Sequence, residues 1–318
     1  MQVNIGRFRK RHVHGFFICM SVCFLSYMAG KQYFGVSKDV EEYAVFFRAV
    51  DSSYLGRFEP LFVWLTIFIK SVVNDFQAYL FFLTLFSLAL KVYILRKFNY
   101  FWFSCFLYLL ILFPLHELTQ YRTSLSLGLV YMAFYLLSSG GSKIKIWFLA
   151  LSAGLVHYSA LAFLPIIAAW GFLGESKKLR WYFLVFGIAV LIAAKQIIFQ
   201  YAASINSTLE APGDYYANIF SSRNVVFFFI VVLGFFQLKK IPDMVKPFWY
   251  LSLYGFVLWG VFIDLPIFAH RLLEMTFFSY LIWVSFLTGI YLRASQFMLL
   301  LLSIYLIYKG LYIEPLLY

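Results

Sequence analysis

The chain has 318 residues, of which 63% are hydrophobic, 23% aromatic and 13% charged, and its mean hydropathy is +0.83. No soluble domain of that length has such a composition, so the expected fold is an all-α, polytopic membrane bundle forming one integral domain over residues 1–318. The net charge of +12 raises nucleic acid as a partner, but the cations fall in short clusters between apolar runs, which reads as positive-inside topology instead.

Using roughly 20 residues per crossing, the apolar runs predict about ten transmembrane segments. Arg7, Arg9, Lys10 and Arg11 precede a first span, about His14 to Ala29. The run has no convincing cleavage site, so it reads as an uncleaved span with a cytoplasmic N-terminus. The polar stretch from Lys31 to Phe58 then lies outside the cytoplasm. Pro60 to Val73 is short for a crossing and contains Lys70, so a re-entrant or interfacial helix is expected there. With that choice Phe76 to Leu95 runs inward and delivers Arg96 and Lys97 to the cytoplasm. Phe101 to Leu115 returns outward, His116 to Arg122 forms an external turn, and Thr123 to Leu137 goes back to a loop with Lys143 and Lys145.

The run from Ile146 to Trp170 carries cations at both ends, which predicts two segments bent near His157, helped by Gly154 and Pro165. The remaining spans are Trp181 to Phe199, Val225 to Leu238, Phe248 to Ile263, Leu272 to Leu292 and Phe297 to Ile313. An external loop covers Gln200 to Asn224, and Arg293 lies in a cytoplasmic loop. Asn206-Ser207-Thr208 in that external loop matches the glycosylation acceptor triplet, but so short a match reads first as a plain polar turn. Cys19, Cys23 and Cys105 all sit in apolar runs and form neither a disulfide framework nor a zinc pattern.

This topology gathers Arg57, Glu59, His116, Glu117, Gln120, Arg122, His157, Asp214, Arg223, His270 and Arg271 on the outward side. An ionisable group near hydrocarbon costs about 3 kcal/mol on insertion scales unless it faces a polar cavity, so these positions mark the candidate site. Gln120-Tyr121-Arg122 opens an inward helix, where backbone N–H groups and a guanidinium together suit phosphate oxygens. Arg223 and His270-Arg271 are expected to repeat that geometry. A snorkelling role at the headgroups is the alternative for each arginine.

His157, apolar on both sides, suits a proton acceptor or a structural hydrogen bond. Glu59, ahead of Pro60, suits either helix capping or a general base, and the two bases are not ranked. Tyr121, Tyr158, Tyr215 and Tyr216 lie beside polar positions and are candidates for stacking on sugar rings. The arrangement requires no metal and no cofactor.

These motifs resemble the EpsG family, relatives of the Wzy-type repeat-unit polymerases. The resemblance rests on Glu59-Pro60-Leu61-Phe62, Gln120-Tyr121-Arg122-Thr123-Ser124, His157-Tyr158-Ser159-Ala160-Leu161 with Leu164-Pro165, and the late Arg271-Leu272. Thr123 stands where the family pattern has glutamine. What the resemblance implies is a multi-pass glycosyltransferase of the bacterial inner membrane. It would polymerise undecaprenyl diphosphate-linked repeat units into an O-antigen, capsule or exopolysaccharide on the periplasmic face.

The catalytic residues expected are Arg122, His157, Glu59 and Arg271, with Gln120, Arg223, His270, Tyr158 and Arg57 binding substrate. The expected partners are the lipid-linked glycan, the bilayer and a chain-length regulator. Two alternatives stay open. One is a flippase of lipid-linked glycan, which would need polar groups in both leaflets. The other is a metal-dependent transferase using polyprenyl-phosphate sugars, for which Glu41, Glu42 and Asp51 are the acidic ligands on offer.

Overall fold

In the computed structural model, residues 5–33, 39–55, 58–172, 184–193 and 221–310 are described, with a few positions between 182 and 200. Among them the chain is helical throughout, its only β feature being an isolated bridge between Leu55 and Phe58. Arg57, Asp214, Tyr215, Tyr216 and the Asn206 triplet lie outside the described residues.

Helix α1 spans Ile5–Gly30 and α2 spans Val40–Ala49. Helix α3, Pro60–Val72, starts at a proline whose missing N–H costs a helix nothing at its first position. The carboxylate of Asp75 accepts from the Ala78 backbone N–H at 2.9 Å and so caps α4, Phe76–Leu95. Helix α5, Phe101–Leu112, runs into a π-turn at Phe113–Glu117, where Pro114 cannot supply a helical N–H. Then come α6, Tyr121–Ser138, and α7, Lys143–Val156, separated by Gly140 at φ +73°.

The predicted break at His157 is present: the residue is extended, and a 3-10 turn at Tyr158–Phe163 leads into α8, Leu164–Phe172. Gly154 lets Leu161 pack closely in that fold-back: a Cβ there would sit 2.1 Å from Leu161 Cδ2 and displace that side chain. The chain continues with α9, Leu184–Ala193, and then α10, Ser222–Gln237. Helix α11 spans Lys246–Val261, α12 Pro266–Glu274, α13 Phe277–Trp283 and α14 Gly289–Tyr308.

Helix α6 is the centre of the first half, packed between α4 and α7. It runs parallel to α4: Ser87 meets Ser124, Leu90 lies against Gly128, and Tyr93 meets Tyr135. Gly128 permits this approach, since a Cβ would be 3.1 Å from Leu90 Cδ1. Parallel α4 and α6 agree with the expected common direction of these two segments.

Two segments differ from expectation. The run Leu272–Leu292 is not one span: it divides at Glu274–Thr276 and again at Leu287–Thr288. The last helix starts at Gly289, so Arg293 lies inside α14 and not in a loop. Apolar composition marks both segments correctly, but it does not show where polar Thr276 and Thr288 interrupt the backbone.

By length and apolarity α4 and α14 each suffice to cross a membrane. Shorter apolar stretches occur at His14–Gly30, Pro60–Val72, Phe101–Glu117, Tyr158–Gly171, Leu184–Ala193 and Ser222–Gln237. Large apolar side chains face outward on many helices, among them Phe16, Phe24, Phe86, Phe228, Phe236 and Phe297. An exterior of this kind suits a hydrocarbon surround; in water it would be an association hazard.

Candidate active site

Glu59, Arg122 and His157 are distant in sequence and meet in space. Arg122 Nη1 donates to Glu59 Oε2 at 3.0 Å, and His157 Nδ1 lies 2.9 Å from Glu59 Oε1. The Tyr158 backbone N–H donates to the same Oε1 at 3.3 Å. Glu59 therefore joins the start of α3, the start of α6 and the break after α7. Glu59 is the N-cap residue of α3 ahead of Pro60, but its carboxylate makes no side-chain cap hydrogen bond to that helix.

Glu59 lies in the connection before α3 and is buried, with 5% exposure. Burial by itself would push its carboxyl up. The hydrogen bond from His157 and the charge of Arg122 outweigh that and bring it down to about 2. An ionised carboxylate only accepts, which puts the imidazole proton on Nδ1 and leaves a lone pair on Nε2. Among the described residues His157 Nε2 is buried without a hydrogen-bond partner, and the same holds for Arg122 Nε.

Arg122 is the second residue of α6, as expected, with Gln120 half-buried at the helix cap. Its backbone N–H donates to the Tyr43 hydroxyl at 3.3 Å, and its guanidinium lies over the rings of Phe58 and Phe62 at 5.6 and 5.7 Å. The side chain keeps 26% exposure. Arg271 is exposed, has no ion pair among the described residues, and is near enough for its charge to act on Asp39, Tyr43 and His157. Burial raises the carboxyl of Asp39 above its usual range, against the charges of Arg271 and Arg122. Tyr158 is partly exposed beside Glu59.

Three placements correct the sequence reading. Arg271 does not open a helix: α12 starts at Pro266 and Arg271 lies in its last turn, where the dipole favours a cation but offers no N–H groups to an anion. Arg223 does open α10, but it is paired with Glu274 at 2.5 Å and lies over the Phe277 ring. His270 senses the charges of Arg223 and Glu274 and stands 6.4 Å from the Trp259 ring, so these residues form a separate group. Tyr121 is buried, its hydroxyl accepting from Gln32 Nε2 at 2.6 Å, and is not open to a sugar.

His116 and Glu117, expected in an open turn, are sealed at 1% and 0% exposure. Glu117 pairs with Lys91 of α4 at 2.7 Å. Lys91 also donates to Ser124 Oγ at 2.7 Å and to the Tyr108 hydroxyl at 3.2 Å, while Ser87 Oγ donates to Glu117 Oε1 at 3.2 Å. The Tyr108 hydroxyl donates to the same carboxylate oxygen. The sequence reading did not single out Lys91, although a lysine within an apolar 20-residue helix is a usable signal.

Among the metal-ligand candidates of the alternative reading, Glu41 and Glu42 are exposed on α2. Asp51 is committed locally, accepting from Ser53 N at 2.8 Å and from Ser53 Oγ at 2.5 Å. No group of three or more metal-ligating side chains occurs among the described residues.

No curated protein and no solved structure matches the chain. The EpsG family matches residues 15–314, nearly the whole chain, and the protein belongs to that family, whose members are Wzy-like polymerases.

Proposed function

We propose that the protein is a multi-pass glycosyltransferase of the bacterial cytoplasmic membrane. It joins undecaprenyl diphosphate-linked repeat units into a surface polysaccharide on the extracytoplasmic side. Membership of the EpsG family supports a polysaccharide-polymerase role. The observation that carries the mechanism is the junction of Glu59, Arg122 and His157, with a nitrogen on both the guanidinium and the imidazole that has no partner among the described residues.

Transfer forms a bond from an acceptor hydroxyl oxygen to the anomeric carbon of the growing glycan and breaks the bond from that carbon to the diphosphate. His157 Nε2 takes the hydroxyl proton. Glu59 holds the imidazole by its Nδ1–H, the orientation a general base requires. Arg122, with Arg271 on the same side, faces the negative charge developing on the departing diphosphate. Gln120 and Tyr158 border the space where the sugars meet. In this reading Glu59 is the orienting group and His157 the base, a ranking that follows if the ionised carboxylate accepts from Nδ1–H and leaves Nε2 for the substrate.

The test is a glycan size ladder from a deletion strain complemented with the wild-type gene, Arg122→Ala or His157→Gln. Long chains are expected with wild type only, and single repeat units at the surface with either variant. Wild-type chain length in both variants overturns the assignment. Complete loss of surface glycan in the deletion strain points to flipping instead, and activity abolished by EDTA points to the metal-dependent transferase.

A further inference from the structure

An apolar groove of about 590 Å³ lies among α3, α4, α6 and the end of α7. One wall is α3 through Leu61 and Leu65, a second is α6 through Leu125, Leu129 and Met132, and Val156 closes the inner end of α7. Each wall starts beside a different member of the cluster: Leu61 is two residues past Glu59, Leu125 is one turn past Arg122, and Val156 precedes His157. Phe86 and Tyr93 of α4, 50% and 46% exposed, make the outer rim, which opens on the apolar exterior. The groove's lining on α6, Leu125 to Met132, begins one turn past Arg122 and extends about 10 Å along the helix, at ~1.5 Å per residue.

From this juxtaposition we infer that the groove holds the hydrocarbon tail of the polyprenyl phosphate whose head group lies at Arg122; the inference rests on the function proposed above. Along α3, α6 and the end of α7 the ionisable residues Glu59, Arg122 and His157 are closely followed or preceded by groove-lining residues, the order in which an amphiphile with an anionic head and an apolar chain would meet them. The volume is typical of small-ligand sites, ~300–1,000 Å³. A slot of this volume drawn out along two turns of helix is too narrow for a helix of a second copy, which is ~10–12 Å across with its side chains. It takes the first isoprene units, and the remainder of the chain leaves past Phe86 and Tyr93 into the bilayer.

The test uses the full chain in phosphatidylglycerol nanodiscs, with a polyprenyl monophosphate carrying a photoactivatable group in its first isoprene units. Label is expected on the peptides containing Leu65 and Leu129, reduced roughly ten-fold by excess unlabelled polyprenyl phosphate and to a similar degree by Leu129→Trp. Phe297→Trp on the outer face of α14 leaves it unchanged. Leu65→Trp, from the facing wall, gives the same loss and substitutes if Leu129→Trp does not fold.

The inference fails if Leu129→Trp and Leu65→Trp leave the labelling unchanged while Arg122→Ala still abolishes it; that outcome spares the proposed function. It also fails if a photoactivatable phosphatidylglycerol marks the same peptides and polyprenyl phosphate does not displace it, or if the label links two copies through this face. Absence of any competable polyprenyl phosphate labelling removes both the groove and the reading on which it rests.

Discussion

Two buried acid–base clusters draw on one short stretch, residues 117–124, Glu117 and Ser124 serving one and Arg122 the other, and they differ in exposure. At Lys91 and Glu117 the charges are sealed at 1% and 0% exposure, and the ammonium is surrounded by a carboxylate and two hydroxyls. At Glu59, Arg122 and His157 the carboxylate is also buried, but the guanidinium keeps 26% exposure; among the described residues each cluster holds buried polar atoms without a partner, Glu117 Oε2 in the first and Arg122 Nε and His157 Nε2 in the second. A closed ion pair holds helices in register, whereas an open one can also meet a substrate. Ser124 binds Lys91 two residues after Arg122, so the sealed cluster fixes the start of the helix that presents the open one.

Breaking the sealed pair is expected to have the largest effect. Glu117→Ala or Lys91→Met, each leaving a charge alone, should cost about 3–5 kcal/mol of stability, and Lys91→Met combined with Glu117→Leu should recover most of it. Thermal unfolding in detergent reads this; equal losses in the single and double variants would show that packing, not charge, governs the site.

Next comes the open cluster. Arg122→Ala should lower the polymerisation rate by about 10²–10³-fold while losing less stability than Glu117→Ala, because His157 still partners Glu59. A melting temperature reduced as far as in Glu117→Ala would erase the contrast between the clusters.

The pH dependence sharpens it further. Glu59 is depressed from 4.5 to about 2 in the folded chain, so its contribution is complete above the unfolded value and is lost as pH falls toward 2. That contribution is on the order of 3 kcal/mol and should be missing in Glu59→Gln. Wild type and Glu59→Gln losing stability in parallel between pH 5 and 2, roughly that window, would contradict it.

The smallest effect is expected at the exposed pair Asp243–Lys246 on the rim. Lys246→Ala should change stability by no more than ~0.5 kcal/mol.

Composition by itself determined that the chain is helical and built for an apolar surround, because so few charged residues leave no material for a solvated domain. Local chemistry also placed the helix starts at Pro60 and Tyr121 and the break at His157, since proline, glycine and an isolated histidine alter the backbone within a few residues. Glu59, Arg122 and His157 were visible one at a time by their cost in an apolar run.

What only the tertiary structure decided is pairing. Glu59 reaches across 63 residues to Arg122 and 98 to His157, and no local pattern specifies a partner at such separations. The same reason explains why Arg223 turned to Glu274, why Arg271 fell at the end of a helix instead of its start, and why Glu117 left an expected external turn for Lys91. The cost of an unpaired charge acts on each residue alone, but the packing of α3, α4, α6 and α7 chooses which opposite charge relieves it.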